Sequence, residues 1–108
     1  MPPALHELIL TWAAAQGVPL TEQDANGPTT RLWLLECGYL RGEMRVQQVR
    51  EAPPSYYLTT MNGNMIMDES WADSKSLPAC LTMALSLLQK RAKTDSPRWH
   101  LHLGKLPE

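Results

Sequence analysis

Net charge is what this chain most plainly lacks: ten lysines and arginines against eleven aspartates and glutamates leave −1 over 108 residues. The basic residues are scattered, which argues against the electrostatic footprint of a phosphate-backbone binder, and the chain is not acidic enough to mimic DNA. Cysteine is scarce too. Cys37 and Cys80 stand far apart and outside any CxxC spacing, so neither a disulfide framework nor a zinc module is expected. Buried free thiols in a reducing cytosol are the expectation. Long apolar runs are missing, which excludes a membrane-spanning helix. Met1-Pro2-Pro3 lacks the basic region and apolar stretch of a secretory signal, so the expected location is cytoplasmic.

Catalytic signatures are equally thin. The sequence holds no GxSxG, GxxxxGK[ST], GxGxxG or HExxH, and its carboxylates form no paired arrangement. His6 could act as a base toward Cys37 or Cys80 only if the fold joined them, and spacing cannot show that. His100 and His102 project from one strand face as a metal pair would, but no further ligand motif accompanies them, and they read as solvent-facing strand histidines. No catalytic residue, metal or cofactor is therefore expected, and the chain reads as a non-enzyme.

What the sequence does hold is a foldable composition. Apolar residues make up 44% and charged residues 19%, far from the signature of disorder, and the length suits one α+β domain over 1–108. Leu5, Leu8, Ile9, Trp12 and Ala13 follow the i, i+3, i+4, i+7 series of a helix face, with Pro3 in the first turn and Gly17 before Val18-Pro19 to end it. Thr21–Pro28, closing on Asn26-Gly27-Pro28, reads as a connector. Strands are expected over Thr30–Tyr39, with Gly38 and Gly42 bracketing the following turn, and over Glu43–Arg50, closed by Ala52-Pro53-Pro54.

Tyr56–Met61 and Asn64–Met67 flank Asn62-Gly63, the signature of a type I′ hairpin. Ser70–Ser76 reads as a polar link, and Ser76 as the cap of a helix from Leu77 to about Lys93 with Pro78 in its first turn. Its stripe is Leu77, Leu81, Ala84, Leu85, Leu88 and Ala92. Arg98–Leu103 alternates cleanly as a last strand, half buried. The order is α-β-β-β-β-α-β, and short links favour an antiparallel sheet with two helices packed on one face.

One sheet face would then be left over, and the hairpin is rich in the residue types found at protein interfaces. Tyr56, Tyr57, Met65, Met67 and Trp71 crowd it, with Asp68 and Glu69 placed to meet a basic surface. These seven residues are the expected partner-binding set. The partner would be another protein, unless the face is covered by its own loop or by a second copy in a homodimer.

Three segments resemble known families. Residues 56–90, through Ala72-Asp73-Ser74-Lys75-Ser76-Leu77-Pro78-Ala79-Cys80-Leu81 and Ala84-Leu85, resemble the end of the phage ABA-sandwich family. That resemblance implies a phage or mobile-element accessory protein of helix–sheet–helix layering, of a kind that often inhibits host machinery, as anti-CRISPR and other anti-defence proteins do. Leu5-His6-Glu7-Leu8, Gly17-Val18-Pro19-Leu20 and Asp24-Ala25-Asn26-Gly27 resemble the opening of type III secretion chaperones, which implies binding of an effector protein. Gly27-Pro28, Ser74-Lys75-Ser76 and the α-β-β-β-α order are similar to double-stranded-RNA-binding domains, which implies phosphate contacts where Lys75 stands. A nucleic-acid partner is not expected here.

Overall fold

A computed structural model describes residues 5–22, 29–37, 39–62, 65–93 and 99–105, with Glu22, Thr29 and Lys105 described by their backbone alone. Its first helix, α1 (Leu5–Gln16), buries Leu5, Ile9, Trp12 and Ala13, the apolar face legible in the sequence. Gly17 ends it with φ 66°, donating to the Ala14 carbonyl while the Val18 N–H reaches Ala13. This paired closure satisfies carbonyls the last turn would leave orphaned, and its left-handed residue suits glycine.

Past Pro19 the expected connector is in part a strand. β1 (Leu20–Glu22) runs parallel to the last strand, β6 (Trp99–Lys105), and the Leu101 N–H donates to the Pro19 carbonyl at 2.8 Å. The sheet therefore has six strands and is mixed, which corrects the purely antiparallel, five-strand expectation. Its order is β1-β6-β2-β3-β4-β5, with β2 (Thr29–Glu36), β3 (Tyr39–Glu51), β4 (Pro54–Asn62) and β5 (Met65–Asp73) forming the antiparallel meander. Pro3, Asn26-Gly27-Pro28, Gly38, Gly63, Asn64 and Arg98 lie outside the described residues, so the expected type I′ turn is seen only through its flanks, where Asn62 pairs with Met65.

Three further boundaries differ from expectation. β2 ends at Glu36 and β3 already begins at Tyr39, so Tyr39 and the residues up to Gly42, expected as strand end and turn, open the next strand instead. Cys37 does not lie buried in a strand. It sits exposed in the turn after β2 at φ 52°, while Cys80 is half-buried on the second helix. β5 continues through Ser70 to Asp73, because an edge strand with one wet face needs no apolar alternation, and only Ala72 along it is buried.

The second helix, α2 (Leu77–Ala92), buries Leu77, Leu81, Ala84, Leu85 and Leu88, with Pro78 in its first turn. Ser76 stands at the expected N-cap position, but its side chain makes no hydrogen bond into the helix, and the contacts that secure the start run back one turn to Asp73. The Asp73 carboxylate accepts from the Ser76 and Lys75 N–H groups at 2.8 and 2.9 Å, and the Ser76 hydroxyl accepts in return from the Asp73 N–H at 3.0 Å. This is the reciprocal logic of a capping box.

Register decides which side chains meet the helices. Leu32 and Leu34, Met44 and Val46, Tyr56 and Leu58, Ala72, and Leu101 and Leu103 share one sheet face and form a single cluster with the buried residues of α1 and α2. Both helices therefore cover the same face, rather than one on each side as the ABA-sandwich resemblance implies. The indole N–H of Trp12 donates to the Thr82 hydroxyl, which donates to the Pro78 carbonyl, each at 3.0 Å, so the helices are joined by a polar thread. Each leucine buried here is worth about 1.5–3 kcal/mol. The Thr30 hydroxyl, fully buried on that face, has no hydrogen-bond partner among the described residues.

Candidate partner-binding face

Side chains that alternate away from the core project from the opposite side of the sheet, and neither helix covers them. Pairing across the strands places Arg31 beside Arg45, Glu43 between Trp33 and Met61, Thr59 beside Glu69, and Tyr57 between Gln47 and Trp71. β6 adds His102 beside Trp33 and His100 beside Leu35.

The centre of this face is a charged cluster. Glu43 is only 5% exposed, and its two oxygens are divided between two guanidinium groups: one accepts from Arg31, the other from Arg45 Nε at 3.0 Å. Burying a carboxylate is costly unless opposite charge and hydrogen bonds meet it, and here both arginines do so while reaching partly into solvent. Arg31 also lies 4.7 Å from the Trp33 ring centre, and Trp33 packs against His102 at 5.2 Å.

Toward β5 the face turns aromatic. Tyr57 and Trp71 pack with ring centres 4.5 Å apart, and the Tyr57 hydroxyl donates to the Glu69 carboxylate. That bond favours the neutral phenol and, with the nearby negative charge and slight desolvation, raises its pKa above the ordinary 10.0. Trp71 is 66% exposed and Met65 65%, with Ile66 and Met67 also exposed. β5 is also the outermost strand, so among the described residues one side of its backbone has no neighbouring strand.

The seven residues expected to meet a partner therefore separate. Tyr57, Glu69 and Trp71 come together on the open face, and Met65 and Met67 stand exposed at the hairpin end of β5. Asp68 lies on the helix side, paired with Arg91 and accepting from the Thr60 hydroxyl at 3.3 Å. Tyr56 has to be removed from the set: it is 1% exposed beneath the helices, where no partner can reach it. The Arg31–Glu43–Arg45 cluster and Trp33 were missed. Their signal was the alternation in Arg31-Leu32-Trp33 and Glu43-Met44-Arg45, which becomes informative only once the two strands are placed in register.

Among the described residues no three His, Cys, Asp or Glu side chains gather as a metal ion would require, and no helix is long and apolar enough to cross a membrane. The fold and face define a two-layer α+β protein with one helix-free sheet surface. Compared with known family models, curated proteins and solved structures, the chain matches none.

Proposed function

We propose that this chain is a protein-binding protein without catalytic activity, which engages its partner through the open sheet face and the β5 edge. The supporting observation is Trp71, exposed against the stacked Tyr57, with Met65, Ile66 and Met67 also exposed at the hairpin end of the same strand. A large indole left two-thirds in water on an outer strand, backed by a rigid aromatic and rimmed by a carboxylate, has the make-up of an interface anchor. The free backbone of β5 offers hydrogen bonds to an added strand. The setting we propose is the cytoplasm, with the chain acting as a phage or mobile-element inhibitor of a host system, on the resemblance of residues 56–90.

Affinity capture from host lysate tests this reading. The wild-type chain should recover a defined partner, and Trp71→Ala with Met65→Ala should lower that recovery at least about tenfold, since anchor side chains dominate interface energies. Tyr57→Ala should act in the same direction by removing the ring beneath Trp71. Undiminished recovery by folded variants contradicts the proposal.

A further inference from the structure

β3 and β4 pair only as far as Glu43 and Met61. Of the preceding residues of β3, Tyr39, Leu40 and Gly42 pair with β2 alone, and Arg41 falls where that register shifts. Where the strands part, a cleft of about 420 Å³ opens between the start of β3, the end of β4 and the last turn of α2. Glycine at position 42 lets α2 close on the strand, since a Cβ there would meet the Leu88 Cδ2 at 3.0 Å.

Arg31, Arg41, Arg45 and Arg91 all line this cleft, while Leu40, Met61, Met67 and Leu88 supply apolar walls. The partners of these arginines are Glu43, shared by Arg31 and Arg45, then Glu36 for Arg41 at 3.4 Å and Asp68 for Arg91. Four guanidinium groups thus face three carboxylates and one positive charge is in surplus. Arg41 and Arg91 are about two-fifths exposed, and their pairs are of the kind that contributes little in water. A guanidinium carries five donors, so both can accept a further carboxylate while keeping their present contacts. The negative end of the α2 dipole also reaches this region, but Lys90 and Arg91 offset it.

We infer that this cleft receives an acidic, apolar-bearing peptide segment of the partner protein, its carboxylates on Arg41 and Arg91 and an apolar side chain between Met61 and Leu88. The inference rests on the protein-binding reading and adds the partner's chemistry to it. The apolar walls favour peptide over a sugar–phosphate chain, and the aromatic pairs on which bases would stack lie on the sheet face beyond the cleft lining.

The test uses the full chain with a labelled decapeptide of alternating Glu and Leu, read by fluorescence anisotropy and by amide NMR shifts. Saturable binding is expected, with shifts centred on Gly42, Met61 and Leu88 and affinity falling as salt rises. Arg41→Glu with Arg91→Glu should weaken binding at least about tenfold, because exposed pairs are lost without unfolding the protein. Four results overturn the inference: equal binding of the same peptide with Lys in place of Glu, tighter binding of oligouridylate, full competition by inorganic phosphate, or self-association through the cleft. Failure of the peptide with intact sensitivity of capture to Trp71→Ala removes only this inference. Peptide binding with insensitive capture removes only the β5-edge reading.

Discussion

The two faces of one sheet do opposite jobs with the same alternating backbone. Beneath the helices, Leu32, Leu34, Val46 and Leu101 are fully buried, and among the described residues the Thr30 hydroxyl is the one buried side-chain polar atom without a partner. On the other side, Glu43 is the sole buried charge among the described residues, and tilted aromatic pairs stand half-buried or exposed. The contrast teaches that stability and recognition are separable here: substitutions on the covered face should change folding, and those on the open face should change binding.

The largest effects should test that separation at its two strongest points. Leu34→Ala, in the covered layer, should cost about 2–5 kcal/mol in denaturant unfolding through lost burial and a cavity. Arg31→Met with Arg45→Met should cost about 3–5 kcal/mol by stranding the Glu43 carboxylate, a place where the open face also carries stability. A double variant as stable as wild type would mean that Glu43 is solvated rather than held. A smaller effect of opposite sign is expected at Thr30. Thr30→Val removes a buried hydroxyl that has no partner, and should raise stability by about 1 kcal/mol.

Much of the covered layer was legible because helices announce themselves through their period. Leu5, Ile9 and Trp12, and Leu77, Leu81 and Leu88, recur at spacings that only a helix aligns, and the structure buries each of them. β1 was not legible: three residues carry no period, and the partner that makes them a strand lies some eighty positions along the chain. The open face was half legible for a related reason. In β4 both alternating sets are apolar or neutral, Tyr56-Leu58-Thr60 and Tyr57-Thr59-Met61, so nothing local says which tyrosine faces the helices. The Arg31–Glu43–Arg45 cluster needs two strands in register, which no single segment specifies.

The finest expected effect concerns pH. Hydrogen bonds from the Ser76 and Lys75 backbone and from the Ser76 hydroxyl hold the Asp73 carboxyl below its ordinary value of 3.8. A depressed carboxylate stabilises the fold fully above its unfolded value, and that contribution is lost as the pH falls through the lower folded one. Asp73→Asn should therefore lower Tm near neutral pH, with the difference shrinking below about pH 3.8. A difference constant with pH would assign the cap to dipoles rather than to charge.

Hydroxyl-radical footprinting of the free protein and of its captured complex measures the central contrast most directly. In the free protein Trp71 and Met65 should oxidise rapidly while Trp12 and Met44 stay protected, as their burial requires. In the complex Trp71 and Met65 should become protected as well. Equal protection of Trp71 and Trp12 in the free chain, or a Trp71 rate unchanged by the partner, would contradict the account.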